Sequence, residues 1–393
     1  MIKRKLQQTG RLFCVAATLA LAACGGGGGI GGTGAPIGSL RFAVTDAPAC
    51  GYDQVNVTLQ KVRVHQSATA ADGDTGWSEV VLTPEKRVDL LTLTNGVLEE
   101  LGQTSLPAGK YTQLRLVLAD NTSAAPLANS VVPTGGAETA LDTPSAAQSG
   151  LKLNVDIDVP AGQLADFVID FDACKSVVPR GNSGRFNLKP VIRVIPRLTD
   201  AGLRVVGYVA PAIANTGTQV SLQLNGTPVK ATLPDASGTF VLYPVPVGSY
   251  DLVVTAAGRA TSVMTSVPVT TATVTTVNGT ATAITPAVSA SRTVTGTVTP
   301  TTATVRATQA LAGGPPAIEV AWAPVDADTG RFAFTLALAA PGKTAYVANP
   351  ATLTFTPAAA AGLYRLEAAS GAATKFQAID VTAPVPPVTF TFP

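Results

Sequence analysis

The sequence predicts an all-β protein built from tandem β-sandwich (Ig-like or transthyretin-like) domains. Three observations support this. Val and Thr are abundant while stripes at helical period are scarce. Apolar and polar residues alternate over short runs. The 37 glycines and 29 prolines punctuate those runs at short intervals. With 393 residues, 46% hydrophobic and only 13% charged, the chain has material for two or three ordered domains.

Residues 1–23 come first. Lys3, Arg4, Lys5 and Arg11 surround or precede an apolar run from Leu12 to Ala23 that closes on small residues, Leu21-Ala22-Ala23. A positive stretch, a short apolar run and a small-residue cleavage site make an export signal. The run is 12 residues, short of the roughly 20 that a membrane span requires, so it reads as a removable leader. Cys24 directly after Leu21-Ala22-Ala23 resembles the bacterial lipoprotein signal, against the alternative of an ordinary secretory peptide with an incidental cysteine. The resemblance implies lipid on Cys24 and attachment to the membrane of a bacterial cell envelope. Gly25 in place of an aspartate implies, by Gram-negative sorting, the outer membrane. Residues 24–38, opening with Gly25 to Gly29, form a Gly-rich tether.

Without residues 1–23 the chain keeps 23 basic and 25 acidic side chains, a formal net charge of −2. It has no basic stripe, which argues against a nucleic-acid partner. Cys14 leaves with the leader, so Cys50 and Cys174 remain beside Cys24. Two thiols in an oxidising compartment suggest a disulfide, with two free buried thiols as the alternative. The bridge would close a loop of 124 positions, worth about 4–5 kcal/mol on the chain-entropy model.

Residues 39–198 form the first domain. Leu40 to Val44 alternates and runs into a turn at Asp46-Ala47-Pro48. Val55, Val57 and Leu59 are followed by Val62 and Val64, so the inward parity changes near Gln60-Lys61 and a β-bulge is expected there. Trp77 to Leu82 and Val88 to Leu93 follow, then the tight-turn dipeptide Asn95-Gly96. Leu106 to Gly109 turns into the strand Tyr111 to Leu118. Residues 121–149, rich in Ala, Ser, Thr, Pro and Gly, read as the longest loop. Leu151 to Val159 and Phe167 to Phe171 follow around Pro160-Ala161-Gly162, and Arg185 to Ile195 closes the domain. About eight short strands at this spacing suggest a sandwich.

Thr45-Asp46-Ala47-Pro48, Trp77, Val88-Asp89-Leu90-Leu91, Leu106 to Tyr111, Asp170 to Ser176 and Leu188-Lys189-Pro190 occur in order. This set resembles a domain of unknown function common at the N-terminus of bacterial surface lipoproteins. The resemblance implies a β-sandwich on a lipid-anchored protein and implies no activity.

Beyond residue 200 a repeat emerges, residues 202–289 and 292–393. Val206-Gly207-Tyr208-Val209 recurs as Thr295-Gly296-Thr297-Val298. Gly238-Thr239-Phe240 recurs as Gly330-Arg331-Phe332, and Gly248-Ser249-Tyr250 as Gly362-Leu363-Tyr364. The offset grows from 89 to 114, which places an insertion at about residues 333–361 of the second copy. Two copies mean two small sandwiches, not a solenoid. The motif order is similar to the carboxypeptidase regulatory-like (transthyretin-like) module, which implies a spacer or binding unit. Glycine suits the turns because it takes positive φ without strain, and the aromatic two residues on is expected in the core.

Candidate chemistry is sparse. His65, the only histidine, points outward beside Arg63, with no nearby carboxylate to complete a triad and no companion ligands for zinc. Lys175-Ser176 are adjacent strand residues that would point to opposite faces. If Leu151–Val159 and Phe167–Phe171 form a hairpin, Asp156 and Asp158 share a face with Asp170 and Asp172, and like charges facing each other need an offset. Ca²⁺ is one candidate. The favoured one is the basic series Arg185, Lys189, Arg193 and Arg197 on a neighbouring last strand. Carbohydrate platforms would have to come from Trp77, Tyr243, Trp322 or Tyr346.

The sequence therefore points to a lipid-anchored envelope protein, not an enzyme and without a cofactor, with a structural, adhesive or surface-presentation role. Its partners would be the membrane through its lipid and an envelope glycan or protein. The alternative is a carbohydrate- or peptide-binding lipoprotein using loops of a C-terminal sandwich. A hydrolase is the weakest reading, since the general bases it needs are missing or misplaced.

Overall fold

The computed structural model describes residues 35–46, 51–144, 149–198, 202–313 and 317–393. The leader, Cys24, residues 25–34 of the tether, Ala47-Pro48 and Cys50 lie outside the described residues. Among those described, nearly all regular structure is strand, arranged as tandem β-sandwiches.

In the first sandwich, one sheet runs in spatial order Ile192–Pro196, Leu164–Phe171, Ile37–Asp46 and Glu99–Pro107. The facing sheet runs Val177–Arg180, Arg185–Leu188, Thr139–Asp142, Ser130–Pro133, Tyr52–His65, Gly109–Leu118 and Leu151–Val159, with Ser78–Asp89 also paired to Tyr52–His65. Phe42, Leu59, Tyr111, Ile157 and Phe171 fill the space between them. The parity change in Tyr52–His65 is a bulge: register slips between Leu59 and Lys61 against both neighbouring strands. The extra residue lets Val55, Val57 and Leu59 and then Val62 and Val64 face one core. Asn95 and Gly96 take φ of 59° and 81° and form the expected tight turn.

Three expectations for this domain are corrected. Residues 121–149 are not one loop, because Ser130–Pro133 and Thr139–Asp142 are strands of the larger sheet. Buried Asn129 templates that addition by accepting the Thr58 N–H at 3.0 Å and donating to the Ala119 carbonyl at 2.7 Å. The run Arg185 to Ile195 is not one strand either. It breaks at Lys189-Pro190-Val191 and its halves join different sheets. Pro190 brings no N–H, while Ser176 accepts the Lys189 N–H on its carbonyl and the Val191 N–H on its hydroxyl. Finally, Leu151–Val159 and Leu164–Phe171 do not pair as a hairpin. The first pairs with Gly109–Leu118 and the second with Ile37–Asp46 and Ile192–Pro196. The Pro160-Ala161-Gly162 turn is anchored to the Ile37 carbonyl and hands the chain from one sheet to the other.

The second and third sandwiches share one strand order. The second has a three-stranded sheet, Thr239–Leu242, Val205–Tyr208 and Thr275–Thr276. Against it lies a sheet that begins Thr227–Thr232, Thr218–Leu224, Gly248–Ala256 and Ser262–Val269. The third repeats this as Arg331–Ala337, Ser291–Thr299 and Val388–Thr391 against Ile318–Ala323, Thr304–Gln309, Leu363–Ser370 and Ala373–Asp380. Phe240, Tyr250, Phe332 and Tyr364 are all buried, as the repeat required.

Not every motif glycine is there for positive φ. Gly238 and Gly330 have it, at +87° and +70°. Gly207 and Gly296 instead admit an aromatic ring. They pair in register with Phe240 and Phe332, and an added Cβ would lie 2.4 and 2.3 Å from the ring Cζ atoms.

The insertion in the third sandwich crosses over to the second. Gly342–Ala345 pairs in parallel with Ser262–Val269, and Thr356–Pro357 extends the same sheet. Tyr346, Leu353 and Phe355 pack against the second core. Residues 292–393 are thus not a self-contained unit, and the second sandwich is completed by residues it does not own.

Candidate functional site

The densest chemistry lies where the three sandwiches meet. Asp170 is the penultimate residue of the strand Leu164–Phe171, and Asp172 caps the one-turn helix Ala173–Ser176, its Oδ1 accepting the Lys175 N–H at 3.0 Å. Lys230, in the strand Thr227–Thr232 of the second sandwich, reaches Asp170 Oδ1. The two residues are 2% and 7% exposed. From the third sandwich Glu319 accepts Lys175 Nζ at 2.6 Å and stands 3.5 Å from Arg306. Gln223 of the second sandwich holds the Glu319 backbone, accepting its N–H at 2.9 Å and donating to its carbonyl at 2.7 Å. Each ion buried here needs a partner, since an unpaired one would cost several kcal/mol.

Two carboxyls at this junction are perturbed. Asp172 is pushed up to about 6 by desolvation, against the pull of Lys175. Asp46 is held well above the usual carboxylate range, again by burial. Its Oδ1 accepts the Ala173 N–H at 2.9 Å, while its buried Oδ2 has no hydrogen-bond partner among the described residues. Further links surround the centre. Lys189 Nζ donates to the Ala303 carbonyl at 3.0 Å, and the Arg193 guanidinium donates to the Pro228 carbonyl. The Asn95 turn plugs into the second sandwich, donating to Thr232 Oγ1 at 2.7 Å and accepting the Val241 N–H. Asp326 Oδ2 of the third sandwich accepts the Gly181 N–H at 2.6 Å.

The predicted acidic cluster is divided. Asp156 lies on the larger sheet 2.7 Å from Lys110, and Asp158 sits opposite Lys110 in register. Asp170 and Asp172 belong to the other sheet and to the junction. The four cannot share a Ca²⁺, and among the described residues no group of three or more His, Cys, Asp or Glu is placed to hold a metal ion. The basic series is dispersed too. Arg193 does pair in register with Asp170, but the counter-ion is Lys230. Arg185 meets Asp142, and Arg197 meets Glu100.

His65 is not freely solvated. Its Nδ1 accepts the Ser67 N–H at 2.8 Å and its Nε2 lies 3.0 Å from the Thr75 carbonyl, which places the ring proton on Nε2. Trp77 is only partly buried, with Arg63 and Arg115 stacked at 4.5 and 4.9 Å from its ring. Trp322 has Lys175 at 4.8 Å, Tyr243 has Arg204 at 4.5 Å, and Tyr346 packs on the second core. Ser176 Oγ is taken by the Val191 N–H, and Lys175 by Glu319. Cys174 is buried in the short helix.

Sequence reasoning missed Lys230, Glu319 and Asp46. A signal existed for the first two: each is a lone charge inside an apolar strand run, Val229-Lys230-Ala231 and Ile318-Glu319-Val320, which is rare without a buried partner.

This is the architecture of a tandem β-sandwich protein with a charged core between its domains. Residues 37–190, the first sandwich, match the model of a family described as a domain of unknown function, DUF4382. No curated protein matches. Among solved structures, the chain is similar to two interface mutants of a type II cohesin–X-dockerin complex from Acetivibrio cellulolyticus, at 26% and 25% identity. Each covers 22% of this chain, which spans 56% of that one, with a TM-score of 0.18. A streptococcal ancillary pilin is similar at 9% identity over 90% of this chain and 98% of its own, with a TM-score of 0.17.

Proposed function

We propose that this chain is a lipid-anchored protein of the bacterial outer membrane that presents or spaces a surface and performs no catalysis. The observation that carries the reading is the way the sandwiches are joined. Buried cross-domain ion pairs and a sheet shared by the second and third sandwiches tie the three domains to one another, and interlocked sandwiches carried on a lipid anchor suit presentation. The anchor is Cys24, after the leader 1–23 and before the glycines of the tether. In keeping with a spacer, residues 202–289 and 292–393 are assigned to the carboxypeptidase regulatory-like class on their motif order and shared strand order. The test is membrane fractionation and intact mass of wild type against Cys24→Ser. Acylated, membrane-bound wild type and a variant lacking acyl mass are expected. A mature wild type without lipid and wholly soluble would remove the anchor.

Cys50–Cys174 is proposed as a disulfide in the same protein. Cys50 is four positions after Asp46, whose carboxylate bonds the Ala173 N–H, so chain length alone lets it reach Cys174. Peptide mapping with and without reductant tests it.

One cleft favours the second reading, peptide binding. It measures about 690 Å³ and is lined by Pro179, Pro324, Pro387, Phe332 and Arg331. Oligoproline and oligosaccharide probes titrated against wild type and Arg331→Ala distinguish the two ligand classes, and no binding by either removes this reading.

A further inference from the structure

The crossover from the third sandwich encloses a second cavity, separate from the cleft at Arg331. It measures about 560 Å³, a size that suits a small ligand. One wall is an end of the second sandwich, residues 260–262 with others from 281–287. The other wall is the crossover itself, with residues drawn from 340–357. The cavity and the Arg331 cleft have no lining residue in common. Among the described residues no charged side chain lines it. Its charged neighbours in sequence, Arg259 and Lys343, donate instead to the Pro286 and Ala312 carbonyls. A charged ligand would lose its water here without meeting a counter-charge.

The side-chain polar groups of the cavity are hydroxyls. Those of Thr282 and Thr285 bond within their own turn, to the Gly279 and Ala283 carbonyls. Those of Thr261, Ser262, Thr352 and Thr354 have no hydrogen-bond partner among the described residues. Thr261 and Ser262 are only 6% and 3% exposed, so the space open to their hydroxyls is the cavity. Ser262 shares the parity of the core residue Met264, which turns it between the sheets. A hydroxyl both donates and accepts, so the complementary ligand is uncharged and carries hydroxyls of its own on a small C–H frame. A wholly apolar ligand would displace water and leave Thr261 and Ser262 buried without partners, which is costly. We propose that this cavity binds an uncharged sugar residue of a glycan. The four free hydroxyls hold its hydroxyl groups, and the methyl groups of the lining alanines and threonines meet its C–H faces. The site belongs to neither sandwich alone, since one wall comes from each.

The test applies the full-length chain to an array of neutral hexose, N-acetylhexosamine and uronic-acid oligosaccharides with end-blocked peptides beside them, and then titrates the strongest binder by calorimetry. Binding of an uncharged glycan, with uronic-acid chains and peptides bound weakly or not at all, is expected. Ala283→Phe, at a half-buried lining position, fills the cavity and should abolish that binding. Thr261→Val with Ser262→Ala removes two hydroxyls at nearly constant shape and should weaken it about ten-fold. Arg331→Ala should bind the same glycan as wild type does, which separates this site from the peptide cleft. Thermal melts of each variant confirm that it is folded. Glycan binding that survives Ala283→Phe undiminished, a preference for uronic-acid chains or peptides, or no glycan bound by the wild type would overturn the proposal.

Discussion

Gly207 and Gly296 show how a single hydrogen can decide a core. Their Cα atoms lie under the Phe240 and Phe332 rings, so Gly207→Ala must either tilt a buried ring or force its paired strands apart. Overpacking of this kind costs about 1–3 kcal/mol. Urea titrations of Gly207→Ala and Gly296→Ala should show that loss, and a midpoint unchanged in both would mean the rings are free to move. Asp172 acts through pH instead. Its folded value of about 6 lies above its ordinary 3.8 because burial disfavours the anion. The folded state therefore binds more protons across that window, and stability from this group grows as pH falls from 7 toward 4. Two pKa units bound the gain at about 3 kcal/mol. Asp46 is shifted in the same direction, while Lys175, Lys230, Asp170 and Glu319 surround the pair. Asp172→Asn retains the cap acceptor and should flatten the slope of stability between pH 7 and 5; an unaltered slope would place the titration elsewhere.

At the scale of elements, what the sequence disclosed was local. The bulge near Gln60-Lys61, the Asn95-Gly96 turn and the buried motif aromatics each leave their mark within a few residues, as parity, as turn chemistry or as a Gly-x-aromatic pattern. A shorter echo went unread: Pro107-Ala108-Gly109-Lys110-Tyr111 and Pro246-Val247-Gly248-Ser249-Tyr250 each send the tyrosine hydroxyl back to the proline carbonyl at 2.8 Å. Sheet membership is not local. Pro160-Ala161-Gly162 reads like a hairpin turn yet carries the chain between sheets, and the run broken at Pro190 keeps a single parity along its sequence. The junction was hidden for the same reason, since Lys230 finds Asp170 at a separation of 60 residues and Lys175 finds Glu319 at 144. That second pair gives a prediction. Lys175→Met leaves Glu319 buried with only the 3.5 Å contact to Arg306, which should cost about 3–5 kcal/mol. Replacing both, Lys175→Met with Glu319→Leu, should recover much of it, and a double-mutant cycle reads the difference. Additive losses would show that the pair is not coupled.

For the whole molecule, the segment that leaves the third sandwich at residue 342 and returns at residue 357 is the feature that most changes how the protein should behave. Without it, Ser262–Val269 is an edge strand with its outer N–H and C=O groups unpaired, and Tyr346, Leu353 and Phe355 no longer cover the second core. Burying such side chains is worth about 1.5–3 kcal/mol each when complete, so their partial loss together with the strand pairing is a substantial fraction of one domain's stability. The third sandwich does not need the segment. The second makes the equivalent connection, Leu242 to Gly248, with only five residues between. Replacing residues 340–360 by a link of that length should therefore leave the third sandwich folded and destabilise the second, although no residue of 202–289 has been altered. Hydrogen exchange on residues 262–269 reads this directly, with faster exchange there and unchanged protection in Thr304–Gln309 and Leu363–Ser370. Equal protection at 262–269 before and after the replacement would mean the crossover decorates the second sandwich without supporting it, and the Gln223–Glu319 contact would then be the tie between the two C-terminal modules.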